Sequence, residues 1–197
     1  MTDLERSLVG AIVDLRALGV RYALVGGLAV AVRAEPRLTR DADLAISVGS
    51  DSEAEDVVLR MQRRGYRVLA AVEQGATGRL ATARLTRSAD DRSTVTDLLF
   101  ASSGIEPEIV EHATELEVLP RLVVPVASVA HLIAMKLLAR DDRQRPADAD
   151  DLRALAAVAT LVDWREADEA VALIAARGFD RGRDLASSLK TLRNLSD

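Results

Sequence analysis

The chain has no cysteine, two histidines, two lysines and few aromatic residues, and each scarcity closes a class of function. Without cysteine there is no disulfide, no thiolate metal site and no thiol nucleophile. His112 and His131 alone do not build a typical zinc site. Aromatics at 3% leave few platforms on which nucleic-acid bases could stack. No apolar run approaches the roughly 18 residues of a membrane span. The opening residues MTDLERS carry acids where a secretory leader carries basic residues. The expectation is a cytoplasmic protein without a membrane partner. A net charge of -5 argues against a protein that coats DNA, and it leaves room for a local basic surface on an acidic body.

What is present is enough to fold: 197 residues, 49% of them hydrophobic, can bury a core as one large domain or as a catalytic domain with a small appendage. Among 26 basic residues only Lys136 and Lys190 are lysine, so a lysine in the middle of an apolar helix stands out.

Leu4, Leu8, Ile12 and Leu15 recur at helical spacing and Gly19 stands where such a helix would stop. Tyr22 to Val25 then reads as a strand, Gly26-Gly27 as a turn, LAVAVRA as a short helix, and Asp41 to Val48 as a second strand. Ser50 and Glu53 form a capping box for a helix that runs to Gly65. This βαβ alternation implies an α/β domain. Residues 66–72, 79–86 and 94–100 are strand candidates in an antiparallel meander. A short helix after Pro107 and a short strand lead to VVPV. Helices are predicted at about 128–140, 148–160, 163–176 and 181–195, with Pro146 and Gly178 between them. A boundary near Ala127 divides a domain of residues 1–127 from a helical part, 128–197, in which Trp164 is a packing anchor.

The chemistry concentrates where YALVGGLAV is followed, after a spacer, by DADLAISV. Side chains at i and i+2 of a strand share a face, so Asp41 and Asp43 stand side by side. Adjacent carboxylates repel, and they persist most easily when divalent cations neutralise them; Mg²⁺ (or Mn²⁺) takes a few carboxylate oxygens and fills its other positions with water and phosphate. Gly26 and Gly27 let backbone approach a triphosphate, and the helix that follows offers unpaired N–H groups to its oxygens. Either feature alone is more often a tight turn or a solvated strand edge. Together, in this order of elements, they point to a nucleoside triphosphate site.

Three further groups belong to the same search. Asp97, between Val95 and Leu98-Leu99, is costly to bury unless paired or metal-bound, and is the candidate third carboxylate; the alternative is an exposed edge residue. Lys136 either snorkels from its apolar helix or binds phosphate as a point charge. Asp148 and Asp151 share one face of a first helical turn, where acids also serve as caps and dipole partners. Arg140, Arg143 and Arg145 would meet substrate phosphates or pair with those acids. Thr39, two residues before Asp41, would direct its hydroxyl into the same cleft.

The pattern hydrophobic-Gly-Gly, spacer, Asp-x-Asp-hydrophobic resembles the signature of polymerase β-like nucleotidyltransferases. More narrowly, RLTRDADLAI, DLLFASSGIEPEIV and HLIAMKLLARDDRQRPADADDLRAL resemble the AbiEii-type nucleotidyltransferase toxins of type IV toxin–antitoxin systems, which include the mycobacterial MenT proteins. The resemblance covers roughly residues 20–155. It implies a mixed sheet flanked by helices, with a helical C-terminal part closing over the cleft. It implies metal ligation by Asp41, Asp43 and Asp97, a phosphate contact from Lys136 and active-site roles for Lys136, Asp148 and Asp151; Gly26, Gly27, Thr39 and Arg140 are nucleotide-binding candidates from their positions. The implied reaction moves a nucleotide, suggested to be a pyrimidine, from an NTP to the 3′ end of tRNA. A cognate antitoxin is the implied partner, acting by occlusion or by modification near Thr39. Arg60, Arg63, Arg64, Arg67, Arg79, Arg84, Arg87 and Arg92 are candidates for an RNA-backbone surface. Two alternatives stand beside this reading: a nucleotidyltransferase acting on a small molecule such as an aminoglycoside or on a protein side chain, and an inactive binding module. The role of residues 161–197 is not legible.

Overall fold

The structure, a computed structural model, describes residues 2–39, 41–75, 77–87, 95–140 and 147–195. The chain opens with α1 (Asp3–Ala17), started by a Thr2–Glu5 capping box and followed by Gly19 at φ 68°. Its apolar stripe of Leu8, Ala11, Ile12 and Leu15 is fully buried, each of the large side chains worth roughly 1.5–3 kcal/mol. Next come β1 (Tyr22–Val25), α2 (Gly26–Arg33), β2 (Asp41–Ile46), α3 (Asp51–Arg63), β3 (Tyr66–Glu73), β4 (Leu80–Arg87) and β5 (Val95–Leu99). Then α4 (Glu106–Glu111) and the hairpin of β6 (Thr114–Leu119) and β7 (Leu122–Val126) precede four helices, α5 (Val129–Ala139), α6 (Ala147–Val158), α7 (Leu161–Ala176) and α8 (Leu185–Asn194).

Seven strands form one mixed sheet in the order β3-β4-β5-β2-β1-β7-β6. The meander β3-β4-β5 is antiparallel, as its turn signals predict. The mixed α/β sheet is as expected, and within it the strand–helix–strand run from Tyr22 makes β1 and β2 antiparallel neighbours. An eight-residue α2 goes out and the following segment returns to the same end of the sheet, so β2 begins where β1 stops. This puts Val25 opposite Asp43, which a parallel crossover would have placed at opposite ends.

The helix boundaries also shift for local reasons. A Thr160–Asp163 capping box starts α7 at Leu161, two residues earlier than its periodicity suggests. Arg181 and Gly182 take positive φ and Asp184 caps α8, which therefore begins at Leu185. α5 lies against α2, α6, α7 and α8, so the helical part is joined to the sheet through the short helix behind the glycine turn. Among the described residues, no helix is long and apolar enough to cross a membrane.

Candidate active site

The site starts at the junction of β1 and α2, where no residue but glycine fits. Gly26 has φ 66°, and a Cβ there would stand 1.9 Å from Oδ2 of Asp43. At Gly27 a Cβ would come within 2.6 Å of Nη2 of Arg37 and 2.9 Å of Oγ1 of Thr39. Val25 occupies the N-cap position, so no side chain caps the first turn of α2.

Beside this turn the sheet carries a row of charge. β2 alternates half-buried Asp41 and Asp43 with buried Ala42 and Leu44, which puts both acids on the cleft face. Asp43 is opposite Asp97 in the parallel β2–β5 pair, and Asp97 is opposite Arg84 in the antiparallel β4–β5 pair. Arg84 donates to Asp97 through Nε at 2.9 Å and Nη2 at 2.7 Å, and its Nη2 lies 4.0 Å from Asp41. The hydrogen bonds it donates to Asp97 raise the pKa of Arg84 further above its ordinary value, and the charges of Asp97, Asp41 and Asp43 add to that. Among the described residues, Arg84 is thus shared between Asp97 and Asp41, with Asp43 in the next register position.

The opposite wall is helical. Lys136 on α5 sends Nζ to Asp148 at 2.7 Å and to Asp151 at 2.6 Å, both on α6. Asp151 also meets Nε of Arg37 at 3.3 Å. Lys136, Asp148 and Asp151 are buried. The cleft between the walls has a volume of about 580 Å³ and is lined by the glycine turn, Thr39, Asp41, Asp43, Asp97, Lys136 and Asp148. Asp151 sits behind that lining, held by the lysine.

Other residues of the sequence-derived set are placed elsewhere. Arg140 lines a separate cavity with Arg183, Asp184, Ser187 and Ser188. Arg143, Arg145 and Arg92 lie outside the described residues. Of the arginines assigned to an RNA surface, Arg60 donates to the carbonyl of Leu18 at 2.6 Å, and Arg64 and Arg87 pair with Asp14 at 2.8 and 3.9 Å. Arg84 belongs to the cleft instead, whereas Arg63 and Arg67 are exposed.

Several cleft residues escape the sequence reading. Arg37 is one. Arg181, at φ 57°, lines the mouth and donates to the carbonyl of Ser102 at 3.1 Å. Ser102 and Ser103 line the cleft after β5, their amides and the Ser103 hydroxyl held by buried Glu106 at 2.7–2.9 Å. Burial raises the pKa of Glu106, opposed by these hydrogen bonds.

Among the described residues no three acidic or histidine side chains form a ready-made metal cage. That suits Mg²⁺, which uses one or two carboxylates and completes its shell with water and substrate phosphate. The donors fit it: hard carboxylate oxygens, and a glycine turn whose missing Cβ lets the Asp43 carboxylate lie against the backbone.

A family model described as the nucleotidyl transferase AbiEii toxin of type IV toxin–antitoxin systems matches residues 8–197. The chain belongs to this family. As an AbiEii protein it is a nucleotidyltransferase of the toxin–antitoxin class, and the glycine turn, the paired acids and the buried lysine all fall within the matched residues. No curated protein matches the sequence. Among solved structures, the antibiotic-resistance factor ANT(2″)-Ia is similar with a TM-score of 0.47 at 15% identity, over 95% of this chain and 88% of that one. The Helicobacter pylori protein JHP933 gives 0.48 at 15% identity, over 98% and 89%. MenT4, a nucleotidyltransferase toxin from Mycobacterium tuberculosis, gives 0.33 at 15% identity, over 94% and 92%. The functional reading rests on the family and on the cleft.

Proposed function

We propose that this AbiEii protein transfers a nucleoside monophosphate, a pyrimidine nucleotide by the resemblance, from an NTP to the 3′-hydroxyl of the tRNA acceptor end. Aminoacylation of the capped tRNA is then blocked, and translation with it, in the cytoplasm. The observation that carries the reading is the contact between Gly26 and Asp43: a turn with no room for a side chain abuts the acid pair inside one cleft.

In this reading Asp41 and Asp43 hold the divalent cation and Asp97 is the third carboxylate, oriented by Arg84. A divalent cation held there, Mg²⁺ or Mn²⁺, would supply Lewis acidity, lowering the pKa of the attacking hydroxyl and offsetting charge on the pyrophosphate. Gly26 and Gly27 admit the triphosphate to the backbone amides that open α2. The ammonium of Lys136, fixed by Asp148 and Asp151, presents a point charge to phosphate from the opposite wall. Residues 1–127 act as the catalytic domain and 128–197 as the helical wall that closes the cleft. Support for a polyanionic acceptor comes from Arg181 at the mouth, with exposed Arg140 and Arg183 following it.

A cognate antitoxin would silence the cleft at Thr39, whose hydroxyl faces Gly27. A phosphate there adds about two negative charges where the triphosphate must sit. Thr39→Glu is accordingly expected to lose NTP binding while keeping its fold, by calorimetry and circular dichroism; undiminished NTP uptake would remove this site from consideration.

Labelled NTPs offered with total tRNA, an aminoglycoside panel or cell lysate test the acceptor. Label is expected at tRNA 3′ ends, located by sequencing them. Label on a drug or a protein instead overturns the tRNA reading and leaves the nucleotidyltransferase intact.

A further inference from the structure

Arg84 is unusual among the cleft's charges because its position is fixed by strand register and its side chain is not fixed by burial. It is the cross-strand neighbour of Asp97, so the β4–β5 pairing delivers a guanidinium to the third carboxylate of the row. The two members differ in freedom: the side chain of Asp97 is 11% exposed and that of Arg84 is 45% exposed. When the pair separates, the arginine is the member able to move. Its fork occupies both carboxylate oxygens of Asp97, which removes that acid from any cation held by Asp41 and Asp43. A guanidinium 4.0 Å from Asp41 also repels a second cation entering there.

We propose that Arg84 is a resident counter-ion: it holds Asp97 in the nucleotide-free cleft and yields that carboxylate when a triphosphate arrives, turning its fork onto phosphate oxygen. Metal uptake is thereby made conditional on nucleotide. The exchange is favourable for both partners, since guanidinium binds phosphate with the same bidentate geometry as carboxylate. No bond is made or broken in this exchange. The ordinary alternative is a cross-strand pair that only stabilises the sheet. In that case removing the arginine costs stability, and whatever it adds to cation affinity is the same with and without NTP.

The inference rests on the reading of Asp41 and Asp43 as cation ligands, and Mn²⁺ titration followed by electron paramagnetic resonance separates the two. In the absence of NTP, Arg84→Gln is expected to bind Mn²⁺ about tenfold more tightly than the unaltered protein, the size expected for removing one partly solvated charge beside the site. Addition of a non-hydrolysable NTP analogue is expected to tighten Mn²⁺ binding more in the unaltered protein than in Arg84→Gln, because linkage between the ligands is reciprocal. Arg84→Lys, which keeps the charge and loses the fork, should fall between them and serves if Arg84→Gln folds poorly. Unchanged or weaker Mn²⁺ binding in both variants, or a gain that is the same with and without the analogue, overturns the counter-ion role. Asp43→Asn is the separate control. If it binds Mn²⁺ like the unaltered protein, the cation-ligand reading itself fails and the role of Arg84 falls with it.

Discussion

The two walls of the cleft are built from the same kinds of side chain and differ in how their charges are settled. On the helical wall Lys136 and Arg37 pair with Asp148 and Asp151, with the lysine 8% and both acids 3% exposed. On the sheet wall, among the described residues, Arg84 faces Asp97 and Asp41, and Asp41 is 44% exposed. A buried network of paired charges has little to gain from an added ion, and breaking it costs free energy in low dielectric. A half-open row of carboxylates gains from a cation that reaches it. In the proposed function the helical wall would be the frame that aims an ammonium at the cleft, and the sheet wall the place where ligands exchange.

That division is broken most severely at Asp43. Asp43→Asn is expected to lower nucleotide transfer by roughly a thousand-fold or more, several kcal/mol of transition-state stabilisation, with Tm little changed. Single-turnover transfer and a thermal melt on the same sample check both halves; a large fall in Tm with activity retained would reverse the assignment of the two walls. Lys136→Met should show the opposite emphasis. It removes the ammonium shared by Asp148 and Asp151, at a cost of about 3–5 kcal/mol and a fall in Tm on the order of 10 °C. Adding Asp148→Asn to Lys136→Met should recover part of that Tm and none of the transfer activity. A melt unaltered by Lys136→Met would show that the network is not structural.

The two walls were unequally legible in the sequence. Gly26-Gly27 and the Asp41/Asp43 pair are read from local rules, because strand alternation and the φ limits of L-residues operate over two or three positions. The strand and helix ends of residues 22–73 follow from the same rules to within a residue or two. Lys136 draws notice through composition alone, as a rare lysine in an arginine-rich chain. Its pairing with Asp148 and Asp151 depends on how α5 and α6 pack, and the reach of Arg37 to Asp151 joins segments far apart in the chain. No local rule contains that information. Arg84 was grouped with surface arginines because β4 register against β5 is set by tertiary pairing, which no single-strand pattern reveals. The antiparallel β1–β2 pair was hidden for the same reason: the order of elements does not state their direction.

A smaller change sharpens the comparison from the sheet side. Gly26→Ala must accommodate φ 66° and a methyl group within 1.9 Å of Oδ2 of Asp43. The strain alone costs about 1–3 kcal/mol, and the displaced carboxylate should weaken Mn²⁺ and NTP binding together. Gly27→Ala, at negative φ and against the flexible ends of Arg37 and Thr39, is expected to cost less stability. Equal melting points for the two variants would argue that the Gly26–Asp43 contact is not what demands a glycine there.

The smallest effect concerns pH, and it belongs to the helical side. His131 on α5 has its pKa lowered to about 4, first by burial and then by the neighbouring charge of His112, with Glu108 opposing. Its Nδ1 lies 2.8 Å from the hydroxyl of Ser128, and its ring centroid is 5.4 Å from that of His112. The folded protein keeps this ring neutral where an unfolded chain, with a pKa near 6.5, already binds a proton. Stability should therefore be constant in this respect above about pH 6.5 and fall as pH drops from there toward 4, since the unfolded state takes up the proton first. His131→Leu removes the ring nitrogens and leaves Ser128 accepting the backbone amide that caps α5. Its denaturation midpoint should fall less steeply with acid than that of the unaltered protein over that window. A matching slope in the two proteins would assign the acid sensitivity to the carboxylates of the cleft, and would make the sheet wall, not the helical one, the part of the molecule that responds to protons.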